Sequence, residues 1–284
     1  MAELTTLREA VSELVRDGQT VALEGFTHLI PHAAGHEVVR QRRKDLALIR
    51  MTPDVIYDQL IGMGCARRLV FSWGGNPGVG SLHRFRDAVE HGWPSPIEIE
   101  EYSHAAMISA YTAGAAGLPF ATFRGDPASD LSKVNPRIQR VTCPFTGEEL
   151  TAVPAHHPDV TIIHAQQADR RGNVLIWGIV GVQKEAVLAA KRSIVTVEEI
   201  VDEIVGRSDS VVLPHWVVTA VCEAPGGAHP SYAQGYSKRD NAFYSSWDTI
   251  SRDRSGFADW MRRHVVETAD VGEYRASLTS SSDV

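Results

Sequence analysis

The chain has 284 residues, of which 43% are hydrophobic and 22% are charged, and its formal net charge is −7 at pH 7. This length and composition suit a globular protein with a full hydrophobic core. The acidic balance argues against a protein that binds nucleic acid through a basic surface. Residues 1–18 lack the features of a signal peptide, and no apolar run reaches membrane-spanning length, so we expect a cytoplasmic protein.

Strand and helix patterns alternate along the chain. In chain order we predict helix 5–16, strand 20–23, helix 36–41, strand 46–50, helix 55–63, strand 68–71, helix 81–91, strand 97–102, helix 103–115, strand 160–164, helix 184–190 and strands 193–197 and 210–213. This alternation predicts an α/β domain with a mostly parallel sheet and helices on both faces. We predict one domain over 1–276, with an irregular excursion over 126–151, and a disordered tail over 277–284.

Two glycine-containing segments directly follow predicted strands. Gly25 comes after the first strand, and Gly74 to Gly80 come after the strand over 68–71. A loop of this kind before a helix exposes backbone N–H groups that suit a phosphate, a carboxylate or a developing oxyanion. Ser81 is the predicted N-cap of the following helix. Because ligands bind beyond the carboxyl ends of parallel strands, we expect the two loops to share one site, unless they are plain connections.

Several familiar catalytic patterns are missing from the sequence. It contains no GxGxxG after the first strand, no GxxxxGK[ST], no GxSxG and no HExxH. Cys65, Cys143 and Cys222 lie far apart and form no CxxC pair, so we expect core thiols. His156 and His157 stand beside prolines without metal-ligand spacing, and we predict no metal site.

Several longer segments resemble the A (alpha) subunit of the family I coenzyme A transferases. These segments are DGQTVALEGFTHLIP, SWGGNPGVGSLHRFRDAVEHGW, AAGLPF, CPFTGEELTAVPAHHPDVTIIHAQQADRRGNVLIWG, AAKRSIVTVEEIVDE and EAPGGAHPSYAQGYSKRDN. The resemblance spans nearly the whole chain and is strongest to the branch that holds the 3-oxoadipate enzymes, with the glutaconate enzymes as neighbours. One departure lies in the first loop, where the wider family has two glycines before the phenylalanine and this chain has Glu24-Gly25-Phe26.

The resemblance implies the CoA-transferase fold and a ping-pong transfer of CoA. The implied donor is an acyl-CoA such as succinyl-CoA, and the implied acceptor is a dicarboxylic acid such as 3-oxoadipate. In the family, the nucleophilic glutamate lies in an SENG motif of the B subunit, and no SENG occurs here. We therefore expect no catalytic residue in this chain and a B-subunit partner in a heterodimer or heterotetramer. Coenzyme A thioesters would be substrates, and no metal or organic cofactor is required.

The resemblance also implies that the loops bind the acid substrate. The predicted substrate-binding residues are Gly25, Phe26, Thr27, Gly74, Gly75, Asn76, Gly78, Ser81, Arg84 and Gln166. Ser81 and Arg84 are the expected donors to the distal carboxylate, and Gln166 is an expected donor at a strand end. The alternatives are a solvated helix face for Arg84 and a network of satisfied amides for Gln166.

Other functions remain open at this point. The same fold could serve one chain of a glutaconate-type transferase, one chain of a CoA-ester or ring hydrolase, or a non-catalytic protein that binds small acids. Glu24 and Glu101 are strand-end carboxylates and could replace the missing nucleophile, although such groups are more often caps or ion-pair partners. An adjacent reading frame with an SENG motif would favour the transferase.

Overall fold

The computed structural model describes residues 2–77, 80–125 and 129–280. The strands are β1 (Glu3–Leu4), β2 (Thr20–Glu24), β3 (Leu46–Ile49), β4 (Ala66–Phe71), β5 (Glu98–Glu101), β6 (Phe120–Phe123), β7 (Gln139–Thr142), β8 (Glu149–Pro154), β9 (Val160–Asp169), β10 (Val174–Trp177), β11 (Arg192–Val201), β12 (Ser210–Leu213) and β13 (Ala220–Glu223). The α-helices are α1 (Leu7–Leu14), α2 (His32–Arg40), α3 (Val55–Gly62), α4 (His83–His91), α5 (His104–Ala115), α6 (Leu131–Val134), α7 (Gln183–Ala189), α8 (Asn241–Arg252), α9 (Arg254–Met261) and α10 (Val271–Ser280). None of the helices in these described ranges is long and apolar enough to cross a membrane.

The central sheet has the strand order β1-β13-β11-β9-β2-β3-β4-β5. Neighbours along this path are parallel, whereas β10 pairs antiparallel with both β9 and β12. The chain moves outward from β2 to β5 in one direction and from β9 to β13 in the other. The strand order therefore reverses between β2 and β9, where ligands of open parallel sheets bind. The predicted fold class is confirmed.

Helices cover both faces of this sheet because its central strands are apolar on both sides. In β2, Val21 and Leu23 pack in one buried cluster with Ile56 of α3. Ala22 points to the other face and packs in a second cluster with Met107 of α5. Alternate residues of a strand face opposite sides, so a continuous apolar run identifies a strand that is buried twice.

The C-terminal helices close one face with aromatic side chains. Trp247 of α8 is fully buried, and its ring lies 5.1 Å from that of Trp260 and 6.0 Å from that of Phe257. The predicted disordered tail over 277–284 overlaps α10, which continues through Ser280. Residues 281–284 lie outside the described ranges.

A small antiparallel sheet, with the order β6-β8-β7, stands apart from the central sheet. The predicted irregular excursion over 126–151 is therefore wrong for β7 and the start of β8. These strands are short, and only two of their ten residues are buried, so they lack the apolar runs that identify buried strands. Cys143 lies at the turn between them and is partly exposed, whereas Cys65 and Cys222 are buried as expected.

Two buried histidines make the fold sensitive to acid. Burial, reinforced by nearby arginines, lowers the pKa of His36 and of His156 to about 3, from an ordinary value of 6.5. The unfolded chain binds these protons first, so the stability is fully present above pH 6.5 and decreases as the pH falls toward 3. Within that window each histidine changes the free energy of unfolding by about 1.4 kcal/mol per pH unit. Urea denaturation at pH 7.5 and pH 4.5 measures this loss.

The neighbouring exposed histidine provides the control for this prediction. His156→Leu removes a buried titrating group, and we expect a smaller difference in unfolding free energy between the two pH values. His157→Gln changes an exposed ring whose charge adds less than burial to the lowered pKa of His156, and it should keep most of the wild-type difference. An unchanged difference in the His156→Leu variant would contradict the prediction.

Candidate functional site

A buried arginine at the carboxyl end of β3 connects the first loop, residues 24–29, to the sheet. Arg50 is only 1% exposed. Its Nη1 donates to Asp54 Oδ1 at 2.8 Å, and its Nη2 donates to Asp54 Oδ2 at 3.3 Å and to the Gly25 carbonyl at 2.9 Å. Asp54 also caps α3 by accepting from the Ile56 N–H at 3.3 Å. This buried ion pair therefore fixes both the loop and the start of the helix.

Glu24 is the only carboxylate within residues 24–29 and 72–77, and it is buried. Its Oε1 accepts from the Met51 N–H at 3.0 Å and from the Tyr111 hydroxyl at 2.8 Å. Burial raises the pKa of Glu24 to about 7, against the opposing effect of Arg50. A carboxyl group held in this way anchors the end of β3 and is not presented to a thioester.

The first loop is tight and partly strained. A Cβ on Gly25 would lie 2.7 Å from the Leu29 carbonyl oxygen, so only glycine fits there. Thr27 and Leu29 have φ values of +59° and +53°, in the left-handed region that side chains disfavour. Ser231 Oγ donates to the Thr27 carbonyl at 2.9 Å and helps to hold this conformation. Phe26 is half-buried beside the cluster around α5. Strain of this kind concentrates at functional sites.

The second loop, residues 72–77, is attached to the same strand end. The N–H groups of Ser72 and Trp73 donate to the Met51 carbonyl at 3.1 and 3.3 Å. The Gly75 N–H donates to the Pro53 carbonyl at 3.1 Å. Since β2, β3 and β4 are parallel neighbours, both loops lie at one edge of the sheet. The prediction that they share an edge is confirmed.

The second loop has a backbone donor available to an acid. Within the described ranges, the N–H of the half-buried Gly74 donates no hydrogen bond. Trp73 beside it is 48% exposed and adds an apolar surface. Gly78, also predicted in the site, lies outside the described residues. The edge can therefore bind a carboxylate or stabilise an oxyanion, while its own carboxylate is buried.

Ser81 and Arg84 lie in positions that differ from the predicted ones. The helix begins at His83 and not at Ser81, whose N–H donates to Asp248 Oδ1 at 3.3 Å. Arg84 is 3% exposed and donates to Asp87 Oδ2 at 3.1 Å and to the Arg252 carbonyl at 3.0 Å. Arg84 therefore packs α4 against the C-terminal helices through internal contacts.

Gln166 is also occupied by internal contacts. It is fully buried on β9; its Nε2 donates to the Trp177 carbonyl at 2.9 Å, and its Oε1 accepts from the Trp177 N–H at 3.2 Å. This is the satisfied amide network that was the alternative interpretation. Arg50 was not among the predicted site residues, although its position directly after an apolar strand was a usable signal.

Comparisons with known proteins identify the family of this chain. A family model described as Coenzyme A transferase matches residues 4–224. The chain is 64% identical to the A subunit of the 3-oxoadipate CoA-transferase from Pseudomonas knackmussii, over 98% of this chain and 99% of that protein. It is 34% identical to the A subunit of the glutaconate CoA-transferase from Acidaminococcus fermentans, over 98% and 92%. The crystal structure of that glutaconate enzyme superimposes with a TM-score of 0.90, over 99% of this chain and 94% of that one. The chain therefore belongs to the coenzyme A transferase family.

Proposed function

We propose that this chain is the A subunit of a heteromeric transferase that moves CoA from an acyl-CoA donor, such as succinyl-CoA, to 3-oxoadipate. The observation that carries the proposal is 64% identity to the corresponding chain of a 3-oxoadipate CoA-transferase, over 98% of this chain. The much lower 34% identity to the glutaconate enzyme makes a glutaconate-type acceptor the second choice. The proposal includes a cytoplasmic location and a B-subunit partner.

The proposed mechanism divides the chemistry between two subunits. A glutamate on the B chain attacks the donor thioester, forms an acyl anhydride and releases CoA thiolate. The thiolate then attacks the anhydride at the glutamyl carbonyl, which gives an enzyme–CoA thioester and the free donor acid. The acceptor carboxylate attacks the glutamyl carbonyl of this thioester, which forms a second anhydride and releases CoA thiolate. The thiolate then attacks the acceptor carbonyl of the anhydride, which gives the new acyl-CoA and regenerates the glutamate carboxylate. No metal or organic cofactor takes part in these steps.

This chain would supply binding and electrostatic stabilisation. The free N–H of Gly74 is suited to the oxyanion that forms at each carbonyl attack. The strained first loop, held by Arg50, would form the opposite wall for the acid. The buried Glu24, which accepts from the Met51 N–H and the Tyr111 hydroxyl, would hold the start of this loop in place.

Assay of the assembled complex tests the proposal. The chain is co-produced with the B subunit, and CoA transfer from succinyl-CoA is measured with 3-oxoadipate and with glutaconate. We expect transfer to 3-oxoadipate at a kcat/KM at least about tenfold above that for glutaconate. Release of free CoA without a new thioester would show a hydrolase, and transfer to neither acid would overturn the proposal. Light scattering of the same sample distinguishes a heterodimer from a heterotetramer.

A further inference from the structure

A second arginine, Arg239, contacts the end of the second loop. An N–H of Arg239 donates to the Pro77 carbonyl, the last residue of residues 72–77. The guanidinium also lies 4.5 Å from the centroid of the Tyr244 ring, in a cation–π contact. Arg239 is half-buried, and its guanidinium contacts this loop. The Arg84 guanidinium donates instead to Asp87 and to the Arg252 carbonyl.

Another contact joins the same loop to the same helix. Asn76 Nδ2 donates to the Tyr244 carbonyl at 2.7 Å, and Asn76 is 3% exposed. Tyr244 is itself buried in the first turn of α8. Asp240 caps α8 by accepting from the Phe243 N–H at 2.9 Å, which holds this first turn in place. Loop residues 76 and 77 are therefore held against a fixed helix start.

These contacts carry a cost in stability. Arg239 Nε and Asn76 Oδ1 are buried atoms without a hydrogen-bond partner among the described residues. A buried polar group that lacks a hydrogen-bond partner destabilises the folded state. An apolar side chain on the Tyr244 ring would avoid this cost for Arg239. Because Arg239 has this cost and also donates to the Pro77 carbonyl, we interpret it as a residue that shapes the loop.

We propose that Arg239 is a positioning residue that holds loop 72–77 in the conformation that receives the acid substrate. The loop would be fixed at Gly75 by Pro53, which follows β3, and at residues 76 and 77 by Tyr244 and Arg239. Its free Gly74 N–H would then keep a constant position relative to the first loop. The link to the acid rests on the proposed function, whereas the fixing of the loop does not.

Hydrogen exchange tests whether Arg239 fixes the loop. The A/B complex is prepared as wild type and as Arg239→Met, Arg239→Lys and Arg86→Met; Arg86 is an exposed control, paired with Glu90. In Arg239→Met, we expect a peptide that covers residues 72–77 to exchange at least about tenfold faster. Arg239→Lys keeps a donor for Pro77 and should stay within about threefold of wild type, and Arg86→Met should not change. Wild-type exchange in Arg239→Met would overturn the inference even if the complex transferred no CoA.

Kinetics test whether the fixed loop matters to the acid. We expect Arg239→Met to raise the KM for 3-oxoadipate about tenfold while kcat changes less than about threefold, with partial rescue in Arg239→Lys. A uniform loss of kcat with unchanged KM would indicate a merely structural role and overturn the link to the acid. If Arg239→Met does not assemble, Arg239→Lys carries the test with an expected rise of about threefold, and no rise there would overturn the link. An inactive wild-type complex would refute the proposed function, a separate outcome.

Discussion

Purified alone, the chain is expected to show no CoA transfer above the uncatalysed background, and addition of the B subunit is expected to restore it. The two site loops contain one carboxylate, Glu24, which is buried and accepts hydrogen bonds from Met51 and Tyr111. Without a carboxylate nucleophile the covalent intermediates cannot form, and loss of such a group costs several orders of magnitude in rate. The measurement is succinyl-CoA-dependent formation of 3-oxoadipyl-CoA by each purified chain and by the mixture.

The control addresses the second strand-end carboxylate. Glu101 is exposed at the end of β5 and pairs in register with Phe71, directly before the second loop. In the complex, Glu101→Gln should leave the enzyme–CoA thioester on the B subunit, where borohydride trapping and mass spectrometry locate it. Transfer by this chain alone, abolished by Glu101→Gln, would refute the division of labour between the two chains.

Arg50→Met is expected to lower the free energy of unfolding by about 3–5 kcal/mol. The substitution leaves Asp54 charged and buried without its partner, and it also removes the donor to the Gly25 carbonyl. Urea denaturation measures the change. Because the first loop loses its attachment, transfer activity of the complex should decrease in the same variant even at temperatures where it stays folded.

A second variant separates the unpaired charge from other effects. In Arg50→Met combined with Asp54→Asn, the Asp54 charge is removed together with its ion-pair partner, and asparagine can still cap α3. We expect this double variant to be more stable than Arg50→Met alone. If Arg50→Met lowers the free energy of unfolding by less than about 1 kcal/mol, the buried Arg50–Asp54 pair does not stabilise the fold as proposed.

The parts of the fold that could be predicted are those with local signals. Val21-Ala22-Leu23 and Leu46-Ala47-Leu48-Ile49 are apolar runs between turn residues, and both form central strands. The edge shared by the two loops follows from the order of such strands. The small antiparallel sheet gave no comparable signal because only two of its fourteen residues are buried.

The differences between the predicted and observed positions at the site come from contacts that are distant in sequence. Ser81 is an acceptable N-cap by residue type, but the helix begins at His83, and the N–H of its third residue, Phe85, donates to Asp58 of α3 at 2.8 Å. The direction of Arg84 depends on Arg252 and other residues of the C-terminal helices, which local patterns do not relate to α4. Likewise Gln166 is paired with Trp177 of β10, a strand that was not predicted.

The reversal of strand order between β2 and β9 also sets the sequence of events during folding. Val21 pairs with Val160, so β3 to β8 must all be synthesised before β2 gains its second neighbour. Until then one of the most apolar strands has an unpaired row of backbone N–H and C=O groups, which is a template for aggregation. Pairs of high sequence separation also form slowly, because loop closure must precede their stabilisation. The strand junction that places the binding loops therefore forms late during synthesis, and the nascent chain depends on protection of that edge until β9 has emerged.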